Sequence, residues 1–189
     1  MDSLVVSAEV CEDMWSAVSP GCQAASEGAT VIVNCSASDE TVGKDEYRRS
    51  LVCGQSGRLI CGYIYANAGE GESTTDLVFA GHNLIAENGV ILKESGRFRN
   101  GAVYSEIDLK RLMSERRRNT TFRPAAEPVL KRIPFEIGVE DTALTRKISS
   151  SPFVPDREED RAKRCEEILM IQAMGLKKRI AHTHAKNVV

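Results

Sequence analysis

The chain has 189 residues, 42% hydrophobic and 28% charged, with a formal net charge of -2. That balance suits one ordinary domain, or one domain with an arm, and excludes wholesale disorder. The near-neutral charge gives no reason to expect a nucleic acid or an anionic membrane as partner, and no apolar run approaches the roughly 20 residues of a membrane-spanning helix.

Residues 4–10 are mostly apolar and β-branched and read as a strand that ends at Cys11. Residues 20–28 hold a Pro20-Gly21 turn and a short helical stretch, and 29–34 form a second buried strand. After a loop over 35–41, a helix is expected near 43–58 with Tyr47, Leu51 and Gln55 on one face. A third strand covers 59–67, and two short ones are expected near 77–80 and 83–86. Asn88-Gly89 is a hairpin turn signal leading into Val90-Ile91-Leu92. Another strand is expected near 102–108, then a short helix with Lys110, Arg111, Arg116, Arg117 and Arg118. The pattern is α/β.

Five of the six prolines fall in residues 119–155, which read as an extended arm. Residues 156–180 then form a helix carrying Cys165, Leu169, Ala173, Leu176 and Ile180 at 3–4 spacing. The expected organisation is a first domain over 1–118, the arm over 119–155 and the beginning of a second domain over 156–189. The chain starts almost within a core-type strand and finishes on Val188-Val189 as an apolar run begins, so part of a larger protein is expected. Met1-Asp2-Ser3 offers no basic n-region of a signal peptide.

The six cysteines are Cys11, Cys22, Cys35, Cys53, Cys61 and Cys165. None forms a C-x-x-C pair and no histidine stands at zinc-finger spacing from them, so no metal site is expected. Cys35 and Cys61 follow apolar strand patterns, where a free thiol behaves as a small buried hydrophobe. A reducing, cytoplasmic compartment fits this usage. His82, His182 and His184 form no metal set, and the last two read as surface residues near a helix end. The basic run over 110–118 has no interleaved aromatics and reads as a solvated helix or a subunit contact. Trp15, Tyr63 and Tyr65 read as core.

Cys11-Glu12-Asp13-Met14-Trp15 stands at the carboxyl end of the first strand. A thiol on the tight turn after a strand can point into a cleft, where the following backbone N–H groups can stabilise an oxyanion. Alone, that pentapeptide fits a small core cysteine better. Asn34-Cys35-Ser36-Ala37-Ser38 follows about one α/β unit later, again at a strand end, and neighbouring strand ends converge on one cleft. Lys44 is within a turn of it, able to meet a substrate carboxylate. A polar, glycine-rich loop follows, Asn67-Ala68-Gly69-Glu70-Gly71-Glu72-Ser73-Thr74-Thr75-Asp76, ending in the Ala80-Gly81-His82-Asn83 turn.

In this order the motifs resemble the nitrilase superfamily, whose Glu–Lys–Cys set splits amide or nitrile bonds. More narrowly they resemble the glutaminase domain of the glutamine-dependent NAD synthetase family. The carriers are Cys11-Glu12-Asp13-Met14-Trp15, residues 33–45, residues 63–76, Glu87-Asn88-Gly89 and Glu115-Arg116-Arg117-Arg118-Asn119-Thr120-Thr121-Phe122. The helix over 156–180 resembles the entry to that family's ATP-using domain.

The resemblance implies part of a four-layer αββα sandwich, followed by the arm and the helix. It implies that Cys11 is the nucleophile attacking the side-chain amide of glutamine, that the Glu12 backbone N–H helps form the oxyanion hole, and that Glu12, Ser38 and Lys44 hold glutamine. Lys44 stands where an arginine can occur, and the two are not equivalent donors.

The family's base glutamate and catalytic lysine precede the nucleophile, in sequence this chain does not contain. A thiol without a neighbouring base or cation is mostly protonated at neutral pH, so these residues alone are expected to be inactive. The S-G-G-x-D-S loop of the ATP-using domain is also absent. No cofactor is expected on this segment, with ATP and magnesium confined to that second domain. The complete enzyme of the family is a homo-oligomer. Two other readings stand beside this one: a nitrilase-type amidase for another amide, and a non-catalytic binding or assembly fragment. Apolar faces meant for absent strands would leave the isolated chain prone to aggregation.

Overall fold

A computed structural model describes residues 4–72, 76–138 and 140–186. The chain divides into two compact units, Met1–Arg146 and Lys147–Val189. The first holds a five-stranded sheet in simple sequence order: β1 (Val6–Val10), β2 (Val31–Ser36), β3 (Gly62–Asn67), β4 (Leu84–Glu87) and β5 (Val90–Glu94). The first three strands are parallel, while β4 and β5 run antiparallel. The crossovers between the parallel strands carry α1 (Pro20–Ser26) and α2 (Lys44–Leu59).

Residue parity along each strand decides which side of the sheet a side chain takes. Ile32, Tyr63, Tyr65, Leu84 and Ala86 share one face with Met14, Val52, Leu59 and Cys61 and form the core. Glu9 lies on that face, 2% exposed. Its carboxylate accepts from the Gly21 N–H at 2.8 Å and from the Tyr63 hydroxyl, which makes a charged group tolerable there. A Cβ at Gly21 would lie 2.7 Å from Glu9 Oε2, so only glycine brings α1 this close. Burial and the Glu9 hydrogen bond push the Tyr63 phenol up from its ordinary value.

The buried stripe of α2 is Arg48, Val52, Gln55, Ser56 and Leu59. Of the expected face, Gln55 is buried and Leu51 packs against the core, while Tyr47 is 54% exposed and Arg48 takes the inward place beside it. This brings an arginine inside, which hydrophobic periodicity does not anticipate. Asn88 and Gly89 have φ of 46° and 85°, the left-handed pair of a hairpin turn matched to strand twist.

The expected strand at 77–80 reduces to an isolated bridge between Asp39 and Phe79, and that at 102–108 does not form. The latter segment serves the sheet with side chains instead of a backbone ladder. Ile107 packs where a Gly62 Cβ would be, and the Asp108 N–H donates to Glu87 at 2.7 Å. Arg146 clamps the same carboxylate through both Nη atoms at 2.8 Å.

Helix α3 (Leu109–Arg118) buries Leu112 and turns Arg116 inward. Arg116 donates to the carbonyls of Ala29, Leu59 and Ile60 at 2.7–3.0 Å. It is therefore not one of a solvated row: it gives backbone carbonyls at strand and helix ends a partner. Residues 119–138 and 140–146 are irregular, and the N–H groups of Val129 and Leu130 reach Glu27 at 3.0 and 2.9 Å.

In the second unit, α4 (Glu158–Thr183) has no buried residue, and Ile168, Leu169, Ile171 and Leu176 are exposed. His184, in left-handed conformation, ends it, and His182 and His184 are both exposed as expected. Met1-Asp2-Ser3, Ser73-Thr74-Thr75 and Val188-Val189, which entered the sequence reading, lie outside the described residues. Among the described residues no helix is long and apolar enough to cross a membrane.

Candidate active site

Three parallel strands end together. Val10 pairs with Cys35, and Ser36 with Asn67, so the residues that follow β1, β2 and β3 gather along one edge of the sheet. Cys11, Ser38 and the loop after Asn67 are those residues, the arrangement in which α/β sheets hold ligands.

Cys11 is half-buried and opens a 3-10 turn, Cys11–Trp15, directly from β1. Its φ is 50°, a left-handed conformation uncommon for a residue with a Cβ. Neighbours hold it there. Asp13 Oδ2 accepts from the Val10 N–H at 2.7 Å, and Asn34 Nδ2 donates to the Cys11 carbonyl at 3.3 Å. Met14 anchors the turn in the core, and its carbonyl accepts from Gln55 Nε2 at 3.3 Å. A strained, over-determined turn that lifts a thiol off a strand end is a common way to display a nucleophile. Glu12 is next in the turn with its side chain exposed.

Ser38 is buried, and Asn67 grips its backbone on both sides: Oδ1 accepts from the Ser38 N–H at 2.9 Å and Nδ2 donates to its carbonyl at 3.1 Å. Lys44, the first residue of α2, pairs with Asp39 at 2.7 Å and stands 5.9 Å from the Trp15 ring centroid. The Lys44 hydrogen bond is the main reason the Asp39 carboxyl falls below its usual range. Trp15 also packs on Tyr47 at 5.2 Å between ring centroids, so the Cys11 turn and the start of α2 are joined. The structure thus brings the Cys11 turn, Ser38 and Lys44 to one edge of the sheet, with Glu12 facing solvent. Ser73, Thr74 and Thr75 of the glycine-rich loop lie outside the described residues.

The cysteines divide. Cys61 is fully buried and its thiol is pushed up to about 12 by burial, as a core residue should be. Cys35 is exposed, correcting the buried reading: its strand position faces away from the helices. Tyr63 and Tyr65 are core, and Trp15 is half-buried against it. Among the described residues no cluster of His, Cys, Asp and Glu could hold a metal ion. Two cavities, of about 600 and 970 Å³, lie away from Cys11; Glu27 and Arg132 border both.

Sequence reasoning missed a buried polar chain below Ser38. Arg48 and His82 are both fully buried, with Arg48 Nη1 2.9 Å from His82 Nδ1 and His82 Nε2 2.7 Å from Glu94 Oε1. Hydrophobic periodicity offered no signal for it, because the buried position on α2 is held by a charged residue.

No protein-family model matches the chain. The glutamine-dependent NAD(+) synthetase of Mycobacterium leprae (strain TN) is 43% identical over 188 residues, which are 94% of this chain and 28% of that protein. The chain is similar along nearly its whole length to glutamine-dependent NAD(+) synthetases. The synthetase of Mycobacterium tuberculosis (strain ATCC 25618 / H37Rv) is 40% identical over 191 residues, covering 95% of this chain and 28% of the relative. The chain therefore spans a little over a quarter of the length of these relatives. Among solved structures, a member of branch 10 of the nitrilase superfamily from Saccharomyces cerevisiae has a TM-score of 0.51 at 19% identity, covering 61% of this chain and 42% of that one. That likeness is one of fold: the sheet with its helices is part of a nitrilase-like architecture.

Proposed function

We propose that this chain carries the nucleophile-bearing part of the glutaminase domain of a glutamine-dependent NAD(+) synthetase. The observation that carries the reading is the left-handed Cys11 turn at the end of β1, set beside the Ser38 loop and Lys44. Similarity to the two synthetases over 94–95% of the chain supports it.

In this reading the Cys11 thiolate attacks the side-chain amide carbon of glutamine, and the Glu12 backbone N–H receives the oxyanion. Collapse expels ammonia, its nitrogen taking up the proton that the base removed from the thiol, and leaves a thioester, which water hydrolyses to glutamate. Ser38 and Lys44 hold the amino-acid end of the substrate together with Glu12. The base glutamate and the lysine that activate the thiol come from residues outside this chain, so the 189 residues alone release no ammonia. ATP and magnesium belong to the separate domain that amidates deamido-NAD to NAD. The working enzyme is a cytoplasmic homo-oligomer.

The test compares glutamate release by the complete synthetase carrying this segment, by its Cys11→Ala variant and by the 189-residue chain. The expected result is turnover in the first and background in the other two. Turnover by a folded Cys11→Ala variant would sink the proposal. Turnover of another amide but not glutamine would favour a different nitrilase-type amidase.

A further inference from the structure

Two observations meet below the substrate edge. The segment from Ser36 to Gly43 carries Ser38 and leads into Lys44, and it is tied at a few points: Ala68 N–H donates to Ser36 O at 2.8 Å, Glu40 N–H to Val78 O at 2.7 Å and Lys44 N–H to Thr41 O at 3.1 Å, with the Asn67 clamp on Ser38. Beneath it lies the guanidinium of Arg48, wholly removed from water. Arg48 Nη2 reaches Glu40 Oε2 at 3.1 Å and makes a long 3.5 Å approach to Ser38 Oγ. Burying such a charge is costly unless it is paired and its donors are used. Glu40, 4% exposed at its side chain, provides the opposite charge and shares it with Arg97 at 3.2 Å.

The polarity of this chain can be assigned. Arginine has donors only, so at the 2.9 Å contact His82 Nδ1 must be the acceptor. The hydrogen of the neutral ring is then on Nε2, which donates to Glu94 Oε1 at 2.7 Å. Glu94 is fixed in turn by Arg49, whose Nη2 and Nε donate to it at 2.6 and 3.2 Å. These bonds, Arg49 first, hold the Glu94 carboxyl below its usual range. Every link has one direction: β5 orients His82, His82 orients Arg48, and Arg48 meets Ser38 and Glu40. Since Ser38 Oγ accepts from Arg48, its own proton remains for a ligand oxygen, which suits an anionic carboxylate.

We infer that Arg48, held by His82 and Glu94, is the positioning residue of the substrate loop, setting the Ser38 hydroxyl and the Glu40 turn for the amino-acid end of the ligand. This rests on the proposed glutaminase reading. Asn67 holds the Ser38 backbone; Arg48 sets its hydroxyl.

Three variants test it: His82→Leu, which removes the acceptor; His82→Gln, which keeps an acceptor and a donor; and Arg48→Lys, which keeps the charge without the fork. Amide hydrogen exchange on the 189-residue chain reads the loop, and glutamine kinetics on the complete synthetase read the consequence. In His82→Leu and Arg48→Lys, exchange over 38–43 is expected to rise about tenfold while β2 and β3 stay protected, the scale of one buried hydrogen bond. KM for glutamine rises about tenfold with kcat within about threefold, and His82→Gln restores both. Native exchange in the loop, or a loosened loop with native KM, overturns the inference. If His82→Leu does not fold, Arg48→Lys against His82→Gln gives the same reading. A native synthetase that does not hydrolyse glutamine would remove the glutaminase reading, while the exchange result would still decide what supports the loop.

Discussion

The two faces of the sheet are made from the same strands and differ in almost everything else. On the helix side Ile32, Tyr63, Tyr65, Leu84 and Ala86 are wholly buried beneath α1 and α2. On the other side Val6 is 45% and Val10 63% exposed, and Ala8, Cys35 and Ala66 are exposed beside them. Toward β4 this face is covered: Ile107 packs on Gly62, Ile85 is buried and Arg146 clamps Glu87. The open part adjoins the strand ends that carry Cys11. A strand alternating apolar residues on both faces is built to be covered twice, as in an αββα sandwich. One face is therefore a finished core, and the other an apolar surface beside the candidate nucleophile.

The thiols give the largest contrast. Cys61 faces the core and Cys35 the open side, so iodoacetamide on the native chain should modify Cys35 at least about a hundredfold faster than Cys61. Peptide mass mapping measures this, and equal rates would mean the core face is not closed.

Next in size is core truncation. Leu84→Ala, at a fully buried position, is expected to cost about 2–5 kcal/mol by urea unfolding, and Val10→Ala less than about 0.5 kcal/mol. Similar costs at both positions would erase the distinction between the faces.

The open face can be altered directly. Val6→Lys with Val10→Lys should reduce self-association in sedimentation velocity and lower binding of an apolar dye, with the urea midpoint little changed. A monomeric parent chain that binds no dye would show that this face is covered in solution.

The smallest effect concerns acid. Glu94 has a depressed folded pKa, so its contribution is present above its unfolded value and lost as pH falls through the folded one. The urea midpoint should therefore decline below about pH 4.3, and less steeply in Glu94→Gln. Identical profiles would show that the Arg49–Glu94–His82 group adds nothing to the fold.

Much of the sheet was legible because its signals are local. β-branched runs mark β1 and β2, and Asn88-Gly89 marks the hairpin. The failures involve partners distant in sequence. Residues 102–108 have strand composition but no ladder to join, and Arg116 in a basic run was needed by carbonyls 56 to 87 residues away. The order of motifs at strand ends pointed to Cys11, Ser38 and Lys44. The Arg48–His82–Glu94 chain was not legible, because its contacts span 34 and 12 residues and a buried arginine leaves no periodic trace.

Everything proposed for the site depends on attack of Cys11 on glutamine. The direct test is rapid quenching of the complete synthetase during turnover, followed by mass analysis of the peptide containing Cys11. A glutamyl thioester is expected on that residue, absent from Cys11→Ala. Turnover with Cys11 unmodified at every quench time and the adduct on another residue would contradict that attack.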